Sequence, residues 1–303
     1  MGFRIACSLA LILAVVPCRA ANAQPAAPGC PLIAASAVIA GNAEIVLIDT
    51  TRGELLNFTS TPGDESAPAW SPDGRTLAFA AQRAGNWDIY TQNLTGDPAQ
   101  RLTSEPWYEG SPAFSPDGRQ IAYESHAEGD LDVYVISMRG GMTQAVITAR
   151  GADTEPQWVG RDRLLYSTWR DEERALALHS LADGSTTLLT AAHEEPSQAA
   201  VSPDGRQIAY LSNGDSTTRL RLRELSGGRS SASLARHSAW PFWSADGQLF
   251  SLELAGGGDY GYPTGWTLSQ RAKPADDPVA LRLPELPGLS WQRPSCAPAR
   301  AVR

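Results

Sequence analysis

Short apolar segments alternate with polar, glycine-containing turns from about residue 31 to about residue 293. The apolar segment 77–81 follows a Ser-Pro-Asp-Gly turn, and the alternating segment 88–90 follows the next polar turn. In such a turn Pro presets φ, Asp bonds to the backbone ahead and Gly tolerates positive φ, so the chain reverses tightly. Segments this short, with alternating residues, predict antiparallel β-strands.

The pattern repeats about every 43 residues. The repeated segments are PAWSPDGRTLAF (68–79), PAFSPDGRQIAY (112–123), PQWVGRDRLLYS (156–167), AAVSPDGRQIAY (199–210) and PFWSADGQLFSL (241–252). We call the third residue of each the anchor: Trp70, Phe114, Trp158, Val201 and Trp243, spaced by 44, 44, 43 and 42 residues. Four strands in each repeat predict a β-propeller blade, with the anchor tryptophans in the core.

The SPDGR turn, the following Asp88-Ile89-Tyr90 and the closing Leu102-Thr103 resemble the WD40-like repeats of the TolB β-propeller family. The resemblance covers roughly residues 31–293 and is specific for fold rather than for function. It implies a propeller in the bacterial cell envelope that binds an envelope protein, such as a peptidoglycan-associated lipoprotein. TolB proteins resemble a propeller preceded by a smaller α/β domain, for which we expect no room here.

Six predicted second strands indicate six blades, but the first of them, 32–38, has no inner strand before it. We expect the C-terminus to supply that strand, with Trp291 of Leu289-Ser290-Trp291 as its anchor. This closure would remove an exposed sheet edge. The predicted fold is an all-β, six-bladed β-propeller of four-stranded antiparallel blades, its first blade closed by the C-terminal strand, in one domain over 24–303.

The N-terminus has the features of an export signal: Arg4, an apolar run over 5–16 and a small-x-small site at 21–23. Residues 1–23 are therefore predicted to be a signal peptide, and the mature protein to be periplasmic or secreted. A lipid anchor on Cys18 is the alternative, whereas the 12-residue apolar run is short of the ~20 residues that span a bilayer. Cleavage would change the formal charge from −8 to −10, which argues against nucleic-acid binding.

Cys30 and Cys296 remain near the two ends of the mature chain. An even pair in an exported protein favours a disulfide over a reactive thiol or a zinc site. The bond would replace the covalent turn that is missing from the closing blade.

A candidate binding surface lies on the face that carries the loops between blades. Acids or a histidine precede the anchors by five or six positions, and pseudo-symmetry predicts that they surround one mouth of the channel: Glu65, Glu109, Asp153, Glu195, Glu285 and His237. Tyr260 and Tyr262 lie on the glycine-rich insertion 255–266, and an acidic run covers 171–173. Such a surface suits a cationic ligand, a metal ion or a basic partner. Alternatively, the acids accept hydrogen bonds in turns and the tyrosines pack on the next blade.

Two histidines, His193 and His237, are weak metal candidates on adjacent blades, but no HxH or HxxxH spacing supports them. The chain has no GxSxG elbow and no phosphate-binding loop, so no catalytic residue and no cofactor is predicted, with a cation at the channel mouth left open. The leading hypothesis is an exported, monomeric, non-catalytic scaffold that binds an envelope protein or peptide. The alternatives are a propeller lyase or hydrolase and a metal or small-ligand sensor.

Overall fold

The computed structural model describes residues 29–214, 217–227, 233–254, 266–274, 276–281 and 292–298. These residues form six four-stranded antiparallel sheets, which confirms the predicted six-bladed propeller. The signal segment 1–23, Cys18, Tyr260, Tyr262, Glu285 and Trp291 lie outside the described residues.

The blades follow one another along the chain, and in blades 2 to 6 the innermost strand comes first. Blade 1 contains β1 (Leu32–Ile39), β2 (Asn42–Asp49), β3 (Glu54–Asn57) and β24 (Gln292–Cys296); blade 2 contains β4 (Glu65–Trp70), β5 (Thr76–Arg83), β6 (Asn86–Asn93) and β7 (Gln100–Arg101); blade 3 contains β8 (Glu109–Phe114), β9 (Gln120–Ser125), β10 (Asp132–Ser137) and β11 (Gln144–Ile147). Blade 4 contains β12 (Asp153–Val159), β13 (Arg163–Arg170), β14 (Glu173–Ser180) and β15 (Thr186–Leu188); blade 5 contains β16 (Pro196–Val201), β17 (Gln207–Ser212), β18 (Arg219–Glu224) and β19 (Ala235–Arg236); blade 6 contains β20 (Ser238–Trp243), β21 (Leu249–Leu254), β22 (Trp266–Arg271) and β23 (Val279–Leu281).

The hydrophobic core is divided among the seams between neighbouring blades. The second strands are apolar on both faces because each packs against a blade on either side; Leu77, Phe79 and Ala81 of β5, for example, are fully buried. Phe79 belongs to the cluster shared with blade 1, whereas Ala80 belongs to the cluster shared with blade 3. Among the described residues the one helical element is a 3-10 turn at Ala192–Glu194, and no helix is long and apolar enough to cross a membrane.

The first blade is closed by β24, as predicted, but the predicted anchor is wrong by five residues. Cys296 pairs with Ile33 as Trp70 pairs with Leu77 in blade 2. The Trp70 indole N–H donates to the carbonyl of Ser295 at 3.2 Å, and the Trp158 indole donates to the equivalent carbonyl in blade 3. The closing anchor is therefore Cys296 rather than Trp291. The prediction was wrong because it took an aromatic residue as the mark of the anchor, and Cys296 is not aromatic.

Cys30 and Cys296 form the predicted disulfide, with their Cα atoms 5.5 Å apart. The Ala297 N–H donates to the Leu32 carbonyl at 2.9 Å, the same bond that Ser71 makes to Thr76 across an intact turn. The disulfide therefore lies where the other blades have the Ser-Pro-Asp-Gly turn. It closes a loop between residues 266 positions apart, for which loop entropy gives about 5 kcal/mol of stabilisation.

The inner strands of blades 2 to 6 share a bulge that the sequence pattern did not reveal. The residue three positions before each anchor has a φ between 48° and 57°, and the strand register shifts there. These bulge residues are Ala67, Ser111, Glu155, Gln198 and Trp240. Since none is glycine, each holds a backbone conformation that only surrounding structure can impose.

Candidate functional site

Three of the predicted channel-mouth acids are buried between blades. Glu65, Glu109 and Asp153 each begin an inner strand, and none is more than 1% exposed. The Arg170 guanidinium donates to both carboxylate oxygens of Asp153, at 2.9 and 3.0 Å. Burial raises the pKa of Glu109 to about 7. These carboxyl groups face the seams between blades rather than the solvent. A partner contact through them stays a prediction.

Two further members of the predicted ring, Glu195 and His237, lie one position outside the strand register. Pro196 and Ser238 hold the positions equivalent to Glu65, since they pair with the corresponding residues of the second strands. Glu195 and His237 precede them, are exposed and have φ values of 42° and 54°. Glu195 and His237 precede their anchors by six positions rather than five, and this spacing was the sequence signal of the shift.

An acidic residue near this level of blade 6, Glu253, was not predicted from the sequence. Glu253, on β21, accepts a hydrogen bond from Arg271 at 2.7 Å, and Arg271 itself is 1% exposed. The Glu253 position pairs with Ser238 across the sheet. A charge in an otherwise apolar second strand was the available sequence signal.

The exposed part of the loop face holds a cleft of about 460 Å³ between blades 4 and 5, which we call the acidic cleft. Its lining residues are Trp169, Glu172, Glu173, Arg174, His193, Glu195 and Asn213. Trp169 is 42% exposed, and the Arg174 guanidinium lies 5.7 Å from its ring centre and 3.6 Å from Glu155. The cleft thus joins two features predicted from the sequence, the 171–173 acidic run and Glu195, beside one exposed aromatic ring.

The histidine pair does not belong to a metal-binding group in the described part of the chain. His193 lines the acidic cleft, whereas His237 lies at the start of blade 6. Among the described residues no set of three or more His, Cys, Asp or Glu side chains is arranged to hold a metal ion. A metal at these two positions stays a prediction.

A cavity of about 560 Å³ lies in the central channel at the end that carries the Ser-Pro-Asp-Gly turns. All six anchors line this channel cavity: Trp70, Phe114, Trp158, Val201, Trp243 and Cys296. The prolines two positions before them form a further part of the wall: Pro68, Pro112, Pro156, Pro241 and Pro294. Trp70 and Trp158 are at least nine-tenths buried, which confirms their predicted place in the core, whereas Trp243 is only partly buried. The Pro-x-anchor motif also forms the channel wall.

Polar groups in the channel wall are largely engaged within the protein. The Gln157 side chain bridges the carbonyl of Ala199 and the N–H of Val201, and the Gln198 amide oxygen accepts the Trp240 N–H at 2.6 Å. Glu155 is paired with Arg174. The glutamine bonds run from one inner strand to the next, so the wall presents apolar rings while these polar side chains are engaged within the protein.

Comparisons with known proteins place the fold. The family model described as the TolB beta propeller domain matches residues 28–245, which is more than half of the chain. TolB from Acinetobacter baumannii is 20% identical, with a TM-score of 0.76 over 88% of this chain and 67% of that chain. A structure described as TolB from Agrobacterium tumefaciens is 19% identical, with a TM-score of 0.65 over 82% and 89%.

Enzymes of other families share the architecture. An oligogalacturonate lyase in complex with manganese is 12% identical, with a TM-score of 0.58 over 78% of this chain and 70% of that chain. No curated protein sequence matches the chain. Identities this low show the fold alone, whereas the family model matches more than half of the chain. The chain belongs to the TolB β-propeller family.

Proposed function

We propose that this protein is an exported, non-catalytic scaffold that binds an extended apolar segment of a cell-envelope protein in the channel cavity. The observation that carries the proposal is the wall itself, in which the Pro-x-anchor motif of the repeat brings proline and aromatic rings around one cavity of about 560 Å³. This volume lies within the range of ligand-binding pockets.

The chemistry of the wall favours binding over catalysis. Proline has no backbone N–H, and the tryptophan indoles already donate to the preceding blades, so the cavity offers mainly apolar contact. Aromatic rings supply large contact areas at little entropic cost when they are already held in place. A partner segment with apolar side chains therefore gains more here than a charged or sugar-like substrate.

The mouth of the cavity provides a test with a matched control. Pro116 and Pro203, in the turns of blades 3 and 5, line the cavity, whereas Pro72 holds the same turn position in blade 2 outside the lining. We expect Pro116→Arg and Pro203→Arg to abolish partner capture by crosslinking in envelope extracts. Pro72→Arg, which loses the same turn residue and adds the same charge, should retain capture.

Two outcomes would contradict the proposal. If all three arginine variants capture the same partners as the parent, the channel cavity is not the binding surface. If Glu172→Lys and Glu195→Lys abolish capture while the proline variants do not, the partner contacts the acidic cleft instead. The enzyme and sensor alternatives predict a bound metal that is lost in His193→Ala or His237→Ala, and metal analysis of the purified protein tests them.

A further inference from the structure

Three consecutive seams of the propeller each bury two carboxyl groups. One comes from the third strand of a blade and the other from the first residue of the next blade's inner strand. The pairs are Glu44 with Glu65, Asp88 with Glu109, and Asp132 with Asp153, all at most 4% exposed. At the equivalent positions of the next two seams the chain has Ala175 with Pro196 and Arg219 with Ser238.

In the seam between blades 1 and 2, burial raises the pKa of Glu65, and the neighbouring carboxyl group of Glu44 raises it further. Both oxygens of Glu44 accept hydrogen bonds, from Asn42 at 2.8 Å and from Thr59 at 2.7 Å. Glu65 accepts from Thr61 through one oxygen, which also lies 3.6 Å from Arg83, while its Oε2 has no partner. Two carboxyl groups make a mutual hydrogen bond when one of them carries a proton.

The seam between blades 2 and 3 likewise buries two carboxyl groups beside one arginine. Asp88 Oδ1 accepts from Arg101 at 2.8 Å, while Asp88 Oδ2 and Glu109 Oε2 are buried without partners. Besides Arg101, the charges of Asp88 and the exposed Glu105 act on Glu109, and both are negative. The seam therefore holds more buried negative charge than its one arginine balances.

In the seam between blades 3 and 4, Arg170 and Thr168 engage the oxygens of Asp153. Asp132 Oδ1 is buried without a partner, and the remaining charges that act on Asp132 are Asp130, Glu128 and Arg170. Burial, followed by the negative charge of Asp130, raises the pKa of Asp132 to about 6. As in the other two seams, one arginine serves two buried carboxyl groups.

We propose that each of these three seams holds one proton in the closed propeller, shared by its carboxyl pair, and that loss of these protons loosens the loop-face ends of β4, β8 and β12. The charge balance requires it: with one arginine for two buried carboxyl groups, the second carboxyl group is stable when neutral. The seams between blades 4 and 5 and between blades 5 and 6 lack the pair, so we expect no such response at these two seams.

The direction of the pH response follows from where the protons bind. The folded seam binds a proton more tightly than the unfolded chain, so its stability is complete below the ordinary carboxyl range. It is lost as the pH rises through the raised pKa, which is about 7 for Glu109 and about 6 for Asp132. Lower pH therefore closes the seams and higher pH opens them. Linked titrations belong to each pair rather than to one residue.

Hydrogen exchange of the backbone amides tests this at pH about 5.5 and about 8, with rates divided by the intrinsic exchange rates. We expect protection of β4, β8 and β12 to fall at least ~10-fold at the higher pH, while β16 and β20 stay unchanged. The neutral variants Glu65→Gln, Glu109→Gln and Asp132→Asn should each keep protection at the higher pH in their own seam. His126→Gln, which removes an exposed imidazole beside blade 3, should leave the pH response intact.

Three results would overturn the proposal. One is protection that does not depend on pH in the wild-type protein, and another is an equal response in all blades. The third is protection at pH about 8 that appears with added calcium and disappears with a chelator, because the pair would then hold a cation in place of the proton. The wild-type measurement decides the first two, even if a variant fails to fold.

Discussion

Single residues explain why the Ser-Pro-Asp-Gly turn could be recognised without a structure. Ser71 donates to Asp73 at 2.6 Å and accepts the Thr76 N–H at 2.9 Å, and the same bonds recur in the other intact turns. The hydrogen bond from Ser71 lowers the pKa of Asp73. All partners lie within five residues, so the turn needs no tertiary contact. The anchors differ, because their partners are in the preceding blade.

Replacing one anchor tests that difference. Trp158→Phe removes the indole that donates to the Ala113 carbonyl at 3.1 Å, while Phe114 shows that blade 3 accommodates phenylalanine at this position. We expect a loss of about 1–2 kcal/mol in the free energy of unfolding, from the lost hydrogen bond and a small void. Denaturant unfolding measures it. Trp169→Phe, at an exposed site, is the control, and an equal loss there would refute the role of the indole bond.

At the level of the strand and the hairpin, the acidic cleft contains backbone strain. The two-residue turn between β13 and β14 places Asp171 and Glu172 at φ values of 50° and 68°, where blades 1 and 2 have Ala-Gly. Such turns favour glycine, because a residue without a Cβ adopts positive φ at little steric cost. A carboxylate is therefore retained where the backbone favours glycine, beside an exposed tryptophan.

Relieving this strain should stabilise the fold. We expect Glu172→Gly to raise the free energy of unfolding by about 0.5–1 kcal/mol, as thermal or denaturant unfolding would show. The matched control is the reverse type of change, Gly85→Ala in blade 2, where φ is 88° and the added Cβ has open space. A loss of stability there would come from backbone strain alone. Destabilisation by Glu172→Gly would mean that the carboxylate makes a structural contribution larger than the strain.

At the level of the whole molecule, closure depends on one covalent bond between the ends of the chain. The disulfide joins Cys296 at the end of β24 to Cys30, two positions before β1, and β24 pairs with β1 in the same sheet. Blade 1 is the one blade whose strands come from both ends of the described chain. Its integrity therefore controls whether the ring stays closed.

Removing the bond should open that blade first. We expect Cys30→Ser with Cys296→Ser to lower the free energy of unfolding by several kcal/mol, up to about 5, and to abolish any effect of reductant. Thermal unfolding with and without reductant measures both effects. A wild-type protein whose unfolding does not change on reduction would contradict the expected role.

Periodicity and turn chemistry were sufficient to predict six blades, the strand order within each and the pairing of the two cysteines, because those features depend on short-range patterns or on a single pair of residues. The closing register was different. Pro294-Ser295-Cys296 has no aromatic residue to mark it, and only its pairing with β1 identifies Cys296 as the anchor. The bulges likewise depend on bonds from neighbouring blades, as at Trp240.

The chain alone thus specified the repeat, since each turn and each apolar strand carries its own local chemistry. The remaining features depend on how the blades pack against one another. A seam joins residues about 20 positions apart or more, and no sequence motif links their side chains. Glu65 and Glu109 appear in the sequence as members of one exposed ring, yet packing buries them against carboxyl groups of the preceding blades. Likewise, anchors predicted to be core residues also form the wall of the channel cavity once six blades surround it.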